Sequence, residues 1–151
     1  MIAEVSIKHS DLYDRDYTLW LEETIRHLGD RQFEELDLLN LIEELEGMSR
    51  SEKRAVYSNL KILLMHLLKY RYQPTKRSNS WRSTIREHRQ RLKRAFQESP
   101  SLKNYFHENF LDCYQDAREL AADETGLALE AFPMESPFSQ EEILNTEYLP
   151  D

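Results

Sequence analysis

Residues 62–68 read Ile-Leu-Leu-Met-His-Leu-Leu, an apolar run holding a single imidazole. At 3.6 residues per turn these side chains point in every direction, and a helix that is apolar all round has to be covered all round. The run therefore predicts the central helix of a bundle. It is far too short to cross a membrane, which takes about 20 residues. Pro74 ends this helix, and residues 73–79 form the clearest loop. On the N-terminal side, Ser49 followed by Glu52 has the capping-box pattern, so the helix is expected to run from about Ser51 to Tyr72.

Four more helices follow from the same reasoning. Asp14 or Asp16 caps a first one ending at Gly29, with Tyr17, Trp20, Leu21, Ile25 and Leu28 as its apolar stripe. A second runs from about Phe33 to Glu46 and stops at Gly47. After the loop, Ser80 caps a helix to about Glu98. Ser99-Pro100 then opens the last long helix, whose stripe is Leu102, Phe106, Phe110, Cys113, Ala117 and Leu120, ending near Gly126. Residues 1–13 show no sustained period and are expected to form a loose N-terminal arm. Residues 127–151 contain three prolines and read as a tail with one short helix on the bundle, capped by Ser139 and Glu142. The fold class is all-α: one helical bundle domain over residues 14–126, of about five main helices, with a Pro-containing C-terminal tail.

Composition agrees. The chain has 151 residues, 40 % hydrophobic, with only 3 Gly and 5 Pro, which suits helices rather than a turn-rich β protein. One Cys excludes an internal disulfide framework and a cysteine-based zinc site. Met1-Ile-Ala-Glu-Val5 lacks a basic region followed by an apolar run, so no signal peptide and a cytoplasmic location are expected.

The net charge of -8 conceals a segregation. Residues 1–60 hold 7 basic and 14 acidic side chains, residues 61–94 hold 11 and 1, and residues 95–151 hold 2 and 13. An acidic total argues against nucleic-acid binding, but the basic middle makes that argument local. On a helical wheel of residues 80–98, Arg82, Arg86, Arg89 and Lys93 form one basic strip beside the apolar face. Arg side chains suit phosphate because their planar fork donates two hydrogen bonds at once. The alternative is that the strip pairs with the acidic helices around it.

Two other groups carry candidate chemistry. On the second helix Leu38, Leu41, Ile42 and Leu45 form the main apolar arc. Glu43 and Glu46 fall among apolar positions, while Asp37, Asn40 and Glu44 point away. Carboxylates on a packed face need partners, so Glu43 and Glu46 are expected to share an Arg or, less simply, a metal ion. No Glu-x-x-His supports a ferritin-like site. The Glu43-Glu44-Leu45-Glu46-Gly47 run departs from the EExxE of helical pyrophosphatases. His66 reads as a core histidine bonded through one ring nitrogen, or as an acid/base with a pKa near neutrality. Cys113 reads as a small core residue. No phosphate loop, nucleophile elbow or cofactor motif is present.

Several segments together resemble the bacterial family numbered twenty-nine in the domain-of-unknown-function series, common in cyanobacteria and proteobacteria. They are Tyr13-Asp-x-Asp16 with Trp20-Leu21, and Leu36-Asp-Leu-Leu-Asn-Leu-Ile-Glu-Glu-Leu-Glu46. His66-Leu-Leu-Lys69 with Gln73-Pro74 follows, then Ser80-Trp-Arg-x-Thr-Ile-Arg86. Ser99-Pro-Ser-Leu102, Ala121-x-x-Glu-Thr-x-Leu127 and Phe132-Pro133 complete the set, with Tyr70 at a position where Trp is more usual. The resemblance implies an all-helical intracellular protein and brings no activity. It singles out Glu43, Glu44, Glu46, His66, Lys69, Trp81, Arg82 and Arg86 as motif positions, either a polar network joining helices or a ligand site.

The first functional expectation is a non-enzymatic interaction or regulatory protein, with a protein partner or a second copy of itself, no cofactor and no membrane. The rival is a small enzyme or ligand-binding protein for an anionic substrate, using Arg82, Arg86 and His66, with metal assistance through Glu43 and Glu46 as one variant. A nucleic-acid-binding module is third. Direct pairing of Glu43 or Glu46 with Arg82 or Arg86 and no adjoining cavity would exclude the rival; an open pocket holding those side chains and His66 would favour it.

Overall fold

A computed structural model describes residues 11–151. Its helices are α1 (Tyr17–Gly29), α2 (Leu38–Tyr72), α3 (Asn79–Glu98), α4 (Leu102–Thr125) and the short α5 (Gln140–Leu144). Residues 11–15 are also helical. Single 3-10 turns lie at Phe33–Glu35, Pro74–Lys76 and Leu129–Ala131. No strand occurs among the described residues, so the protein is all-α. The loose arm expected over residues 1–13 lies, for residues 1–10, outside the described residues, and residues 11–13 are helical instead.

Two helices expected from the sequence are one. α2 runs through Gly47 and Ser49 without interruption, so the Ser49/Glu52 capping box does not form. A glycine inside a helix costs roughly 1 kcal/mol, less than losing the turns on either side of it, and Leu, Glu, Arg and Lys around it are good helix formers. α2 starts at Leu38 rather than Phe33, which lies in a separate 3-10 turn, and other ends shift by a residue or two. Ser78, not Ser80, caps α3, its side chain accepting from the Trp81 amide at 3.2 Å. α4 begins at Leu102, preceded by Ser101, rather than at Pro100. The left-handed residue after α1 is Arg31, not Gly29. Asp16 caps α1 and accepts from the Leu19 amide at 3.1 Å. Gly126 is left-handed at the end of α4, and Ser139 with Glu142 forms the capping box of α5.

The chain divides into two compact units, one ending at Ser51 and one spanning Glu52–Asp151. The second holds the main core. Leu60, Leu63, Leu64, Leu67 and Leu68 of α2 are essentially fully buried, with Ile85 and Leu92 of α3 and Phe106, Cys113 and Ala117 of α4. Phe96 meets Phe106 edge-to-face at 5.5 Å. Cys113 is buried, donates to the Tyr57 carbonyl at 3.4 Å and has its thiol pushed up to about 12 by burial, so it is an inert core residue. The tail closes the remaining side. Phe132, Phe138 and Ile143 enter the core, and the tail's carbonyls are met by donors from α3 and α4. Tyr114 donates to Pro133 O at 2.6 Å and Arg118 Nε to Phe132 O at 3.0 Å.

The continuity of α2 has a direct test. A Cβ at Gly47 would meet only the end of the Arg50 side chain, at 3.7 Å. Gly47→Ala is therefore expected to raise stability by roughly 0.5–1 kcal/mol in urea denaturation. A helix stop at Gly47 would make the same change destabilising.

Candidate functional site

In the first unit the packed face of α2 is the reverse of the expected one. Asp37 is buried and Asn40, Leu41 and Glu44 are half-buried, while Leu38, Leu39, Ile42 and Leu45 face solvent. Glu43 and Glu46 are exposed as well, so they are not carboxylates on a packed side. Glu46 pairs with Arg50 one turn on, at 3.8 Å. Among the described residues no cluster of three His, Cys, Asp or Glu side chains is arranged to hold a metal.

The inward carboxylate is Glu44. It accepts from the Tyr17 hydroxyl at 2.6 Å and from the Tyr13 hydroxyl. Both phenol rings lie against Trp20, which is fully buried, with centroids 4.8 Å away for Tyr13 and 6.0 Å for Tyr17. The sequence reading missed Glu44 because a helical wheel assigns the apolar arc to the inside. The signal was present in the Tyr13, Trp20 and Glu44 motif positions. On α1 the buried residues are Trp20, Thr24 and His27, so the expected stripe of Leu21, Ile25 and Leu28 is mostly outward.

The other five candidate residues lie in the second unit. Lys69, nearly buried, places Nζ 2.7 Å from Glu124 of α4 and 4.7 Å from the centre of the Trp81 ring on α3. This ion pair and cation–π contact join α2, α3 and α4 through three side chains. Glu124 belongs to the Ala121-x-x-Glu-Thr segment, so its signal was also legible. His66 lies with Nδ1 2.9 Å from the Ile62 carbonyl, and burial pulls its pKa below the usual value. That is the bonding of a structural histidine. His88 instead contacts Asn59 across α2 and α3 at 2.7 Å.

The basic strip divides by depth. Arg89 is almost wholly buried, with Nε donating to the Ile143 carbonyl at 2.8 Å and a terminal nitrogen to Glu142 O at 3.3 Å. It therefore holds the C-terminal end of α5, where a cation meets the negative pole of the helix. Arg82, Arg86 and Lys93 are exposed. Among the described residues none of the four forms an ion pair with a carboxylate, and Glu87 pairs with Arg91 at 2.5 Å. Of the strip, Arg89 meets tail carbonyls rather than an acidic helix, and Arg82 reaches the Tyr70 hydroxyl and Asn79 Oδ1. A cavity of about 200 Å³ between α3 and the tail is lined by Arg82, Arg86 and Arg89, and His66 is not part of its wall. A second cavity, of about 340 Å³ between α2 and α3, has Glu52, Glu87 and Glu98 beside Arg91 and Arg94, a rim of mixed sign with one acidic group in excess.

These segments belong to one family. The family described as "Domain of unknown function DUF29" matches residues 12–149, and the chain is a member of it. No curated protein and no solved structure matches the chain.

Two outcomes test the assigned contacts. The Tyr13 phenol is pushed up to about 12, first by its bond to Glu44 and then by desolvation, and the Glu44 carboxyl is held low by Tyr13 and Tyr17. Stability from this contact is present between the carboxylate range and the ordinary tyrosine value of about 10. It fades as pH falls through the lowered Glu44 pKa and as pH rises through the raised Tyr13 value. In an ultraviolet titration Glu44→Gln is expected to return two late-ionising tyrosines, Tyr13 and Tyr17, toward the ordinary value; an unchanged curve contradicts the pairing. Arg89→Met leaves the Ile143 carbonyl without its side-chain donor, while Glu142 O keeps the Asn145 amide at 3.2 Å, and is expected to cost roughly 1–3 kcal/mol in thermal denaturation, with faster proteolysis of the tail.

Proposed function

We propose that the protein is a non-enzymatic interaction protein of the bacterial cytoplasm that works by self-association through its first unit. The observation carrying this reading is the outward apolar face of α1 and α2. Leu39 is 83 % exposed, Ile25 67 % and Met48 64 %, and Leu21, Leu28, Leu38, Ile42 and Leu45 extend the same surface. Eight such side chains, each about half exposed, present on the order of 800 Å², the share each partner contributes to a standard stable interface. That exceeds the largest apolar patch of an ordinary monomer, roughly 300–600 Å².

The pattern also favours a particular occupant. Leu21, Ile25 and Leu28 on α1 and Leu38, Ile42 and Leu45 on α2 recur at three- and four-residue steps, the spacing of helices that pack on helices. The Tyr17–Glu44 bond ties the start of α1 to α2, and residues 30–37 tie the end of α1 to the start of α2, which favours an antiparallel pair. Turning in opposite senses about antiparallel axes, the two stripes reach the same side of the hairpin. A second copy offers two helices of matching length and pattern, and face-to-face pairing makes a four-helix bundle with a self-complementary two-fold interface. No helix among the described residues is long and apolar enough to cross a membrane.

Sedimentation equilibrium tests this directly. The protein is expected to sediment as a dimer at micromolar concentration. Ile42→Glu with Leu39→Glu is expected to yield a monomer of unchanged helicity, since both positions already face solvent in the single chain. A monomer for the unaltered protein, or a dimer that survives both substitutions, refutes the reading.

A further inference from the structure

We propose that the cavity between α3 and the C-terminal tail binds a phosphate group, either as the inorganic ion or carried on a small monoester. Four observations lead there.

Arg89 is fixed in the wall. Its Nε and one terminal nitrogen are held by the Ile143 and Glu142 carbonyls, and the other terminal nitrogen donates to no protein group among the described residues. Carbonyls at the end of α5 orient the guanidinium but carry no net charge, no carboxylate among the described residues pairs with it, and burial opposes its charge. An arriving anion finds this donor already desolvated and oriented, which lowers the cost of binding.

Arg82 and Arg86 bring two more guanidinium groups to the same cavity, because positions 82, 86 and 89 share one face of α3. Neither has a carboxylate partner among the described residues. Arg82 reaches only the Tyr70 hydroxyl and Asn79 Oδ1, each at 3.4 Å. The forks of Arg82 and Arg86 and the unengaged terminal nitrogen of Arg89 on one cavity wall match an ion with several charged oxygens better than a single carboxylate.

The hydroxyl-bearing residues Ser83 and Thr146 line the same wall. The volume, about 200 Å³, is below the roughly 300–1,000 Å³ of pockets that enclose larger ligands, so a phosphate or small phosphomonoester fits and a whole nucleotide does not.

Glu147 also lines the cavity. Its charge is of the wrong sign for an anion site, which supplies a sharp control. If the cavity binds phosphate, removing that charge strengthens binding. If Glu147 is instead the arginines' resident counter-ion, its removal destabilises the fold and brings no gain in affinity.

The experiment is isothermal titration of the full chain with inorganic phosphate at constant ionic strength, with chloride as the control and glycerol phosphate as the monoester arm. Phosphate is expected to bind and to raise the melting temperature. Arg82→Gln and Arg86→Gln are each expected to weaken binding about tenfold while circular dichroism stays unchanged, since both side chains are exposed. Glu147→Gln is expected to tighten it. Tighter binding of glycerol phosphate than of the inorganic ion identifies a monoester as the ligand, and the reverse order identifies the free ion. Absence of binding at millimolar phosphate, equal binding by the double Arg82→Gln, Arg86→Gln variant, or no gain with Glu147→Gln overturns the proposal. The site lies in the second unit, so a failure of the dimer reading leaves this result independent.

Discussion

A helix that is apolar on every side must be covered on every side, and the second unit is organised around that constraint. Residues 60–70 of α2 cannot be enclosed by α3 and α4 alone, so the tail supplies the remaining wall with Phe132, Phe138 and Ile143. An irregular tail brings unpaired carbonyls with it, and each one buried without a donor is costly. Arg89, Arg118 and Tyr114 answer that cost with side-chain donors to Ile143, Phe132 and Pro133. The same requirement leaves Arg89 charged, buried and aimed beside the cavity. A structural demand thus creates the feature on which a binding site can be built.

The first unit obeys a different balance. Its small interior is aromatic and polar: Trp20 under Tyr13 and Tyr17, whose hydroxyls are gathered by Glu44. A helix pair this small has too little volume to bury two full apolar stripes. The aromatic cluster takes one face and the leucines and isoleucines are left on the other. Outward leucine at this density is a cost for a solitary chain and a gain for an assembling one, which connects the packing to the proposed function.

Much of this was legible in the amino-acid order. The apolar run at residues 62–68, the cap at Asp16 (one of two candidates), the helix end near Gly126 and the Ser139/Glu142 box each depend on neighbours within a few residues, and each formed. The wheel of α3 placed Arg82, Arg86, Arg89 and Lys93 on one strip, and the first three line the cavity beside the tail. The Ser49/Glu52 box also has a local signature, yet α2 passes through it, because a cap pattern marks a helix start only where the preceding residues leave the helix. Glu44 and Glu124 stood in recognisable motifs, but their partners are distant in sequence, at Tyr13 and Lys69.

By itself, then, the sequence determined the all-α class, the central buried helix and the segregation of charge, since these follow from period and composition. Tertiary structure alone decided which face of each helix turned inward. A wheel records that α2 has an apolar side; it holds no record of whether this chain possesses anything to cover it. The first unit offers Trp20, Tyr13 and Tyr17 to one side of α2, and those rings suit Glu44 better than Ile42. The tail offers carbonyls to α3, and those suit Arg89 better than a carboxylate would. In both places the direction of a side chain was settled by the partner available to it.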